Sequence, residues 1–191
     1  FFRKRRGNTA RDALYSTLLG SDNVSALTIA SFVGRDLVSR RGGGSPIAAF
    51  VTEMNNLARS LRMAKTRFTA PHGLDAGNSV STSCALDMAL LGVYSMQNPA
   101  FCYIVSQASR RIEVQSQTKG RTMYDISNNN KLMSSPGVDG IKAGTSRAAG
   151  PCLLLSVTRN AISRRSPQTG TEVIYPQRMI IVVLGSANRY P

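Results

Sequence analysis

Helical periodicity fills the first half of this chain and then stops, and that break limits the folds open to it. Ile47, Phe50, Val51, Met54, Leu57, Ala58 and Leu61 recur at intervals of three and four, which marks one buried helical face. Ser45-Pro46 opens that helix, with serine as cap and proline in the first turn. Upstream, Leu14 and Leu18 share a face of a first helix, with Thr9 and Asp12 as its capping box and Gly20 at its end. A second helix runs from about Val24 to Leu37 and breaks at Arg40-Arg41-Gly42-Gly43-Gly44. Ser81-Thr82-Ser83 offers hydroxyl caps to another helix, whose Leu86, Leu90, Val93 and Tyr94 are expected to point inward and which Asn98-Pro99 closes. Past Gln107 the texture changes. Arg111 to Gln115 alternates like a half-exposed strand, and Asn128 to Lys131 reads as a turn. Pro151 to Val157 and Met179 to Leu184 are continuous apolar runs of strand length; the second is rich in β-branched residues, as in a central strand covered on both faces. The polar stretch between them, Thr158 to Arg178, is too long for a tight hairpin and reads as an exposed excursion. Helices first and strands later predict a single α+β domain, its helices packed on a mostly antiparallel sheet.

At 191 residues and 42% apolar content the chain can bury a core. No apolar run approaches the roughly 20 residues that cross a bilayer, and Phe1 to Arg6 lack the apolar stretch of a signal peptide. If the protein is exported, its signal lies outside these residues; composition leaves localisation open. The net charge is +14, mostly from arginine, yet Arg5-Arg6, Arg40-Arg41, Arg110-Arg111 and Arg164-Arg165 are scattered with no aromatics among them. A single-strand binder needs stacking rings beside its cations, so the charge reads first as solvated surface. A general attraction to anionic envelope material comes second, and no specific nucleic acid is expected. Cys84, Cys102 and Cys152 form no CxxC pair, and His72 is the lone histidine. They read as buried free thiols, and neither a metal nor a cofactor is expected.

Two short motifs carry the chemistry. Ser21-Asp22-Asn23 follows a helix end, in a loop where three side chains can project into a cleft, and Lys142-Ala143-Gly144-Thr145 lies in the run that begins at Val138. An acyl-transfer serine enzyme needs an activated hydroxyl, a proton acceptor, an oxyanion hole and a grip on its substrate's carboxylate. The flanking stretches are Thr9 to Tyr15, Phe50 to Asn55, Thr69 to Asp75, Ser81-Thr82 with Asp87-Met88-Ala89, Asn129 to Leu132, Pro136 to Lys142, Ala148-Ala149-Gly150 and Val182 to Gly185. With them, in order from about Gly7 to Tyr190, the chain resembles the D-alanyl-D-alanine carboxypeptidases, the low-molecular-mass penicillin-binding proteins. The resemblance implies a β-lactamase/transpeptidase-like fold, here a partial domain incomplete at both ends. The Ser-x-x-Lys segment that supplies the nucleophile is expected upstream of Ser21, where the twenty residues hold no such pair, and a closing helix is expected after Pro191.

Carried over by position, the resemblance gives Ser21 the relay of a proton toward the leaving amine and Asn23 a hydrogen bond to the substrate's backbone. Lys142 would lower the proton affinity of Ser21 and attract the substrate's carboxylate. Gly144 would let the substrate lie against the strand edge, and the Thr145 N–H would form half of an oxyanion hole. Ala143 stands where the family usually has threonine, so a hydroxyl contact worth ten- to hundred-fold is missing there, with Thr145 as a partial substitute. Asp22 is the middle residue more usual in β-lactamases. Ser116-Gln117-Thr118-Lys119 has the first motif's spacing but is rejected as nucleophile. It continues a strand pattern, where serine and lysine do not share one helical face, and it comes after Ser21. His72 reads as a structural turn residue, Asp75 and Asp87 as loop and helix-capping groups. The implied function is a serine-type D-Ala-D-Ala carboxypeptidase acting on peptidoglycan stem peptides outside the cytoplasmic membrane, with β-lactams as covalent inhibitors of the complete enzyme. The alternatives are a β-lactamase-like hydrolase and a non-catalytic peptidoglycan-binding remnant.

Overall fold

The computed structural model describes residues 10–74, 80–116, 120–188 and 190. Thr9, Asp75 and Gln117 to Lys119 lie outside them. Five helices come first: α1 (Ala10–Leu18), α2 (Asn23–Arg41), α3 (Pro46–Ser60), α4 (Ala85–Ser95) and α5 (Pro99–Val105). Two sheets follow. β1 (Ser109–Ser116) and β2 (Gly120–Ser127) form an antiparallel pair, and β3 (Val138–Ser146), β4 (Gly150–Arg165) and β5 (Glu172–Val183) form a three-stranded antiparallel sheet in that order. The α+β architecture agrees with the sequence pattern. No helix among the described residues is long and apolar enough to cross a membrane.

Small residues decide how α2 meets α3. Ala26, Ala30 and Gly34 sit four apart and are the buried positions of α2. At Gly34 a Cβ would lie 1.9 Å from the carbonyl oxygen of Pro46, so only glycine lets the start of α3 cross there. Ser45 is the N-cap and Pro46 opens α3 as expected, although the serine side chain makes no capping bond. On the periodic face of α3 only Ala58 is fully buried; Ile47, Phe50, Val51, Met54, Leu57 and Leu61 are half-buried. In α1 the buried positions are Ala13 and Tyr15, with Leu19 just beyond, rather than Leu14, which is exposed. Tyr15 and Leu19 pack with Ile104 and Ile112, joining α1 to α5 and β1.

The expected face of α4 is reversed. Leu86, Leu90, Val93 and Tyr94 are exposed, and Asp87 and Gly92 are buried. This helix is apolar on nearly every side, so periodicity could not choose a face. Gly92 chooses it: a Cβ there would come 2.9 Å from Ile180 and 3.2 Å from Leu154, so the sheet presses on the glycine. Met96, Val105, Ile141 and Leu154 form the cluster between these helices and the sheet. The hydroxyls before α4 are spent on a loop instead of a cap. Arg67 and Thr82 form an isolated antiparallel bridge, Ser81 Oγ accepts from the Thr69 N–H, and the N-cap is Cys84, whose side chain makes no capping bond. Asn98 closes α4 and also caps α5, accepting from the N–H groups of Ala100 and Phe101.

β5 is an edge strand, not the covered central one its β-branched run predicted; β4 is central. Met179, Ile181 and Val183 on its outer face are exposed. Thr158 to Arg178 is exposed as expected, but it is a hairpin, because β4 and β5 remain paired through most of it. All three cysteines are free and half-buried rather than buried.

Gly34→Ala tests the α2–α3 crossing. Alanine favours an isolated helix by about 1 kcal/mol, whereas a Cβ against a backbone oxygen leaves nothing flexible to yield. A net loss of about 2–3 kcal/mol, read as a lower urea midpoint, is expected; a neutral or stabilised variant would refute the crossing.

Candidate active site

The loop between α1 and α2 is held in an uncommon shape. Ser21 has a φ of +59°, the left-handed region that few residues other than glycine enter. Its neighbours fix it there. Asp22 is the N-cap of α2: its carboxylate accepts from Ser25 N–H at 2.8 Å and Val24 N–H at 3.4 Å, and Ser16 Oγ donates to it at 3.5 Å. The Asp22 N–H donates to the carbonyl of Ser16 at 3.1 Å. Asp22 therefore turns away from the cleft, and the expectation of three projecting side chains reduces to two. From the far side of the chain Asn129 takes the two carbonyls just before Ser21. Its N–H donates to Leu19 O at 3.0 Å and its Nδ2 to Gly20 O at 2.9 Å.

Against this loop stands β3. Lys142 Nζ donates to Ser21 Oγ at 2.6 Å and to its neighbouring carbonyl, Ala143 O, at 2.5 Å. A cation thus touches the hydroxyl across 121 positions of sequence. Strand pairing sets the rest: Lys142 opposes Leu154, Ala143 opposes Leu153, and Gly144 opposes Cys152. β3 starts at Val138, so Lys142 lies in its middle, and in the sheet order β3 is an edge strand. The Ala143 methyl is 2% exposed, packed with Leu153 and Leu155; what this residue gives Lys142 is its carbonyl.

A cavity of about 290 Å³ opens at this junction, lined by Ser21, Asn23, Leu74, Gly144, Thr145 and Cys152 among others. The structure thus brings Ser21, Asn23, Gly144 and Thr145 to one cavity, with Lys142 bonded to Ser21. Leu74 and Cys152 have no role there in the sequence reading. The signal for Cys152 was its cross-strand register with Gly144, which a sequence alone does not fix. His72 accepts the Leu74 N–H at Nδ1, 3.3 Å, and so shapes the turn beside the cavity, as the turn reading expected. Asp87 is buried at the start of α4 and accepts from Lys65 N–H and Thr66 Oγ1 at 2.8 and 2.7 Å, anchoring a loop. Ser116 ends β1, a strand, while Lys119 lies outside the described residues. Among the described residues no group of His, Cys, Asp and Glu is placed to hold a metal.

The family profile described as D-alanyl-D-alanine carboxypeptidase matches residues 1–166. The chain belongs to that family. A D-alanyl-D-alanine carboxypeptidase of a Streptomyces species is 29% identical over 157 residues, covering 79% of this chain and 50% of that protein. One from Mycobacterium tuberculosis is 30% identical over 144 residues, covering 75% and 44%. The chain spans about half the length of the curated relatives it matches. Among solved structures, a penicillin-binding protein homolog from M. tuberculosis superposes with a TM-score of 0.71 at 26% identity, covering 93% of this chain and 56% of that one. A penicillin-binding protein of Listeria monocytogenes, in its ampicillin-bound form, gives 0.67 at 26% identity, covering 95% and 61%. The fold is that of the penicillin-binding and transpeptidase proteins.

The Asp22 carboxyl titrates below its ordinary value of 3.8: burial pushes it up, and the hydrogen bonds from Ser25, Val24 and Ser16 outweigh that. Asp87 is lowered likewise, burial again being overcome by bonds from Thr66, Lys65 and Cys84. Both groups favour the folded state above pH 3.8, and that contribution disappears as pH falls through the lowered values. Asp22→Ala is expected to lose about 1–2 kcal/mol at neutral pH with its cap. Asp22→Asn, which keeps an accepting oxygen, is expected to stay near wild type at pH 7 and to flatten the acid limb of a pH–stability curve. Equal losses in both variants would contradict the capping role.

Proposed function

We propose that this chain supplies two of the three catalytic motifs of a serine-type D-Ala-D-Ala carboxypeptidase acting on peptidoglycan stem peptides outside the cytoplasmic membrane. The Lys142–Ser21 contact carries the reading, because it joins a cation to a hydroxyl at the wall of a cavity. In the reaction class a serine hydroxyl attacks the D-alanyl-D-alanine carbonyl, the terminal D-alanine leaves as the amine, and water then hydrolyses the acyl-enzyme. The attacking serine belongs, by the resemblance, to a Ser-x-x-Lys segment, and among the described residues that line the cleft Ser21 has the relay position instead. Ser21 Oγ, bonded to the Lys142 ammonium, is the group that passes a proton to the departing amine, and the lysine replaces it. Asn23 stands one step away, at the first turn of α2, where its amide can hydrogen-bond the substrate's backbone.

β3 offers the substrate an edge. Gly144 has no atom within 4 Å of where a Cβ would be, so an extended peptide can approach the strand there as an added strand does. Thr145 is exposed beside it, its N–H one of the two donors of the oxyanion hole and its hydroxyl at the carboxylate end. Ser21 and Lys142 also suit opening of a β-lactam, where the ring nitrogen takes the place of the leaving amine.

The test uses two proteins. The 191-residue chain by itself is expected to take up no fluorescent penicillin covalently. A longer protein that includes this chain and a Ser-x-x-Lys segment is expected to acylate, and Lys142→Ala in it to slow acylation by about 10²-fold or more. Labelling of the 191-residue chain would overturn the assignment of the nucleophile. A longer protein that binds stem peptide without acylation or turnover would instead establish a binding remnant.

A further inference from the structure

β4 and β5 outlast the sheet they belong to. β3 accompanies β4 only as far as Val157, but β4 and β5 stay paired out to Arg165 and Glu172. Beyond Val157 the hairpin is a two-stranded ribbon, exposed along both strands. Register sorts its side chains. Ile162 opposes Tyr175 and Arg164 opposes Val173 on one face; Ser163 opposes Ile174 and Arg165 opposes Glu172 on the other. Ile162, Val173, Ile174 and Tyr175 are 44%, 37%, 67% and 47% exposed. A ribbon of two strands is marginal in water on its own, and this one leaves its cross-strand apolar pair, Ile162 and Tyr175, and the side chains of Val173 and Ile174 uncovered.

Its charge is one-sided. From Thr158 to Arg178 there are four arginines against one glutamate. Glu172 accepts from Ser163 Oγ, and Arg178 is held by Asp139 at 2.9 Å. The other arginine doublets of the described residues are answered in place. Arg40 pairs with Asp36, Arg41 with Glu53 and Arg111 with Asp125, while Arg110 lies 5.1 Å over the Tyr15 ring. Arg164-Arg165 is the doublet with no ion pair among the described residues; Arg165 Nε donates to the Gly170 carbonyl at the hairpin tip.

We propose that this ribbon docks on an anionic phospholipid surface, laying Ile162, Tyr175 and Val173 into the headgroup region with Arg159 and Arg164 of the same face on the lipid phosphates, while Arg165, on the opposite face near the tip, adds its charge to the attraction at longer range. Tyrosine and branched aliphatic groups suit the boundary between acyl chains and headgroups, and arginines without matching carboxylates suit an anionic leaflet. A second copy of this chain is the poorer occupant, since self-docking on this face would set Arg164 of one copy against that of the other. The cleft stays clear of the docked surface. Pro151, opposite Thr145, is fourteen residues from Arg165, about 45 Å at roughly 3.3 Å per strand residue.

The chain has no tryptophan, so Tyr175→Trp in the 191-residue chain puts a single reporter on the ribbon. With vesicles of phosphatidylglycerol in phosphatidylcholine, its emission is expected to shift to the blue and to be quenched by brominated acyl chains. Neither change is expected with phosphatidylcholine alone. Arg159→Gln, Arg164→Gln and Arg165→Gln together are expected to weaken vesicle binding about tenfold or more. A charge-matched control, Arg35→Gln, Arg59→Gln and Arg62→Gln on the helical side, is expected to weaken it far less. Binding with an unshifted tryptophan, an equal loss in the control, or a blue shift that grows with protein concentration in the absence of lipid would each overturn the proposal. No step of this test involves turnover, so its failure is separate from that of the carboxypeptidase reading.

Discussion

Three consecutive asparagines stitch the helical part of this molecule to its sheets. Asn128 Nδ2 donates to the carbonyls of Val105 and Gln107 at the end of α5, at 3.1 and 3.0 Å. Asn129 holds Leu19 O and Gly20 O after α1. Asn130, 2% exposed, caps the 3-10 turn through Leu132 N–H and reaches Gly140 O on β3. Each of these carbonyls ends an element or leads into the site, and none could be left unpaired in the interior without a penalty of 1–3 kcal/mol or so. Because the same tripeptide grips the residues before Ser21 and the strand that bears Lys142, the 2.6 Å contact between those two is set by backbone bonds on both sides. Tyr190 extends the seam: its hydroxyl donates to Asn129 O and accepts from the Lys131 N–H.

How far the fold could be read depended on whether burial or pairing decided each element. α3 shows its period because one face meets the interior, and the core of β4, buried at successive positions on both faces, shows as a continuous apolar run, so both positions were legible. α5 was missed since Asn98-Pro99 ends one helix and begins the next, and a stop signal hides a start. β2 carried no strong alternation; exposed on most of its length, it is a strand through its register with β1. The outer halves of β4 and β5 behave the same way. With both faces in solvent, nothing in the side-chain pattern distinguishes a paired ribbon from a polar loop. In α4 the failure was of the opposite kind, for an all-round apolar helix gives no direction until a glycine on it is seen to meet the sheet.

The site was legible as motifs and illegible as geometry. Ser21, Asn23, Gly144 and Thr145 line one cavity and Lys142 reaches Ser21, which no spacing in the sequence could assert across that separation. Asp22 looked like a third projecting side chain because its neighbours project; its capping geometry shows that a carboxylate one residue before a helix is worth more to the helix N–H groups than to a cleft. That exchange has a consequence for Ser21. A left-handed φ on a serine is unfavourable by about 1 kcal/mol or more, and it persists because the cap on one side and the Asn129 clamp on the other leave the peptide planes around it no alternative orientation. The hydroxyl therefore meets Lys142 already oriented, so the alignment on which a proton relay depends is established by folding rather than by the arrival of substrate.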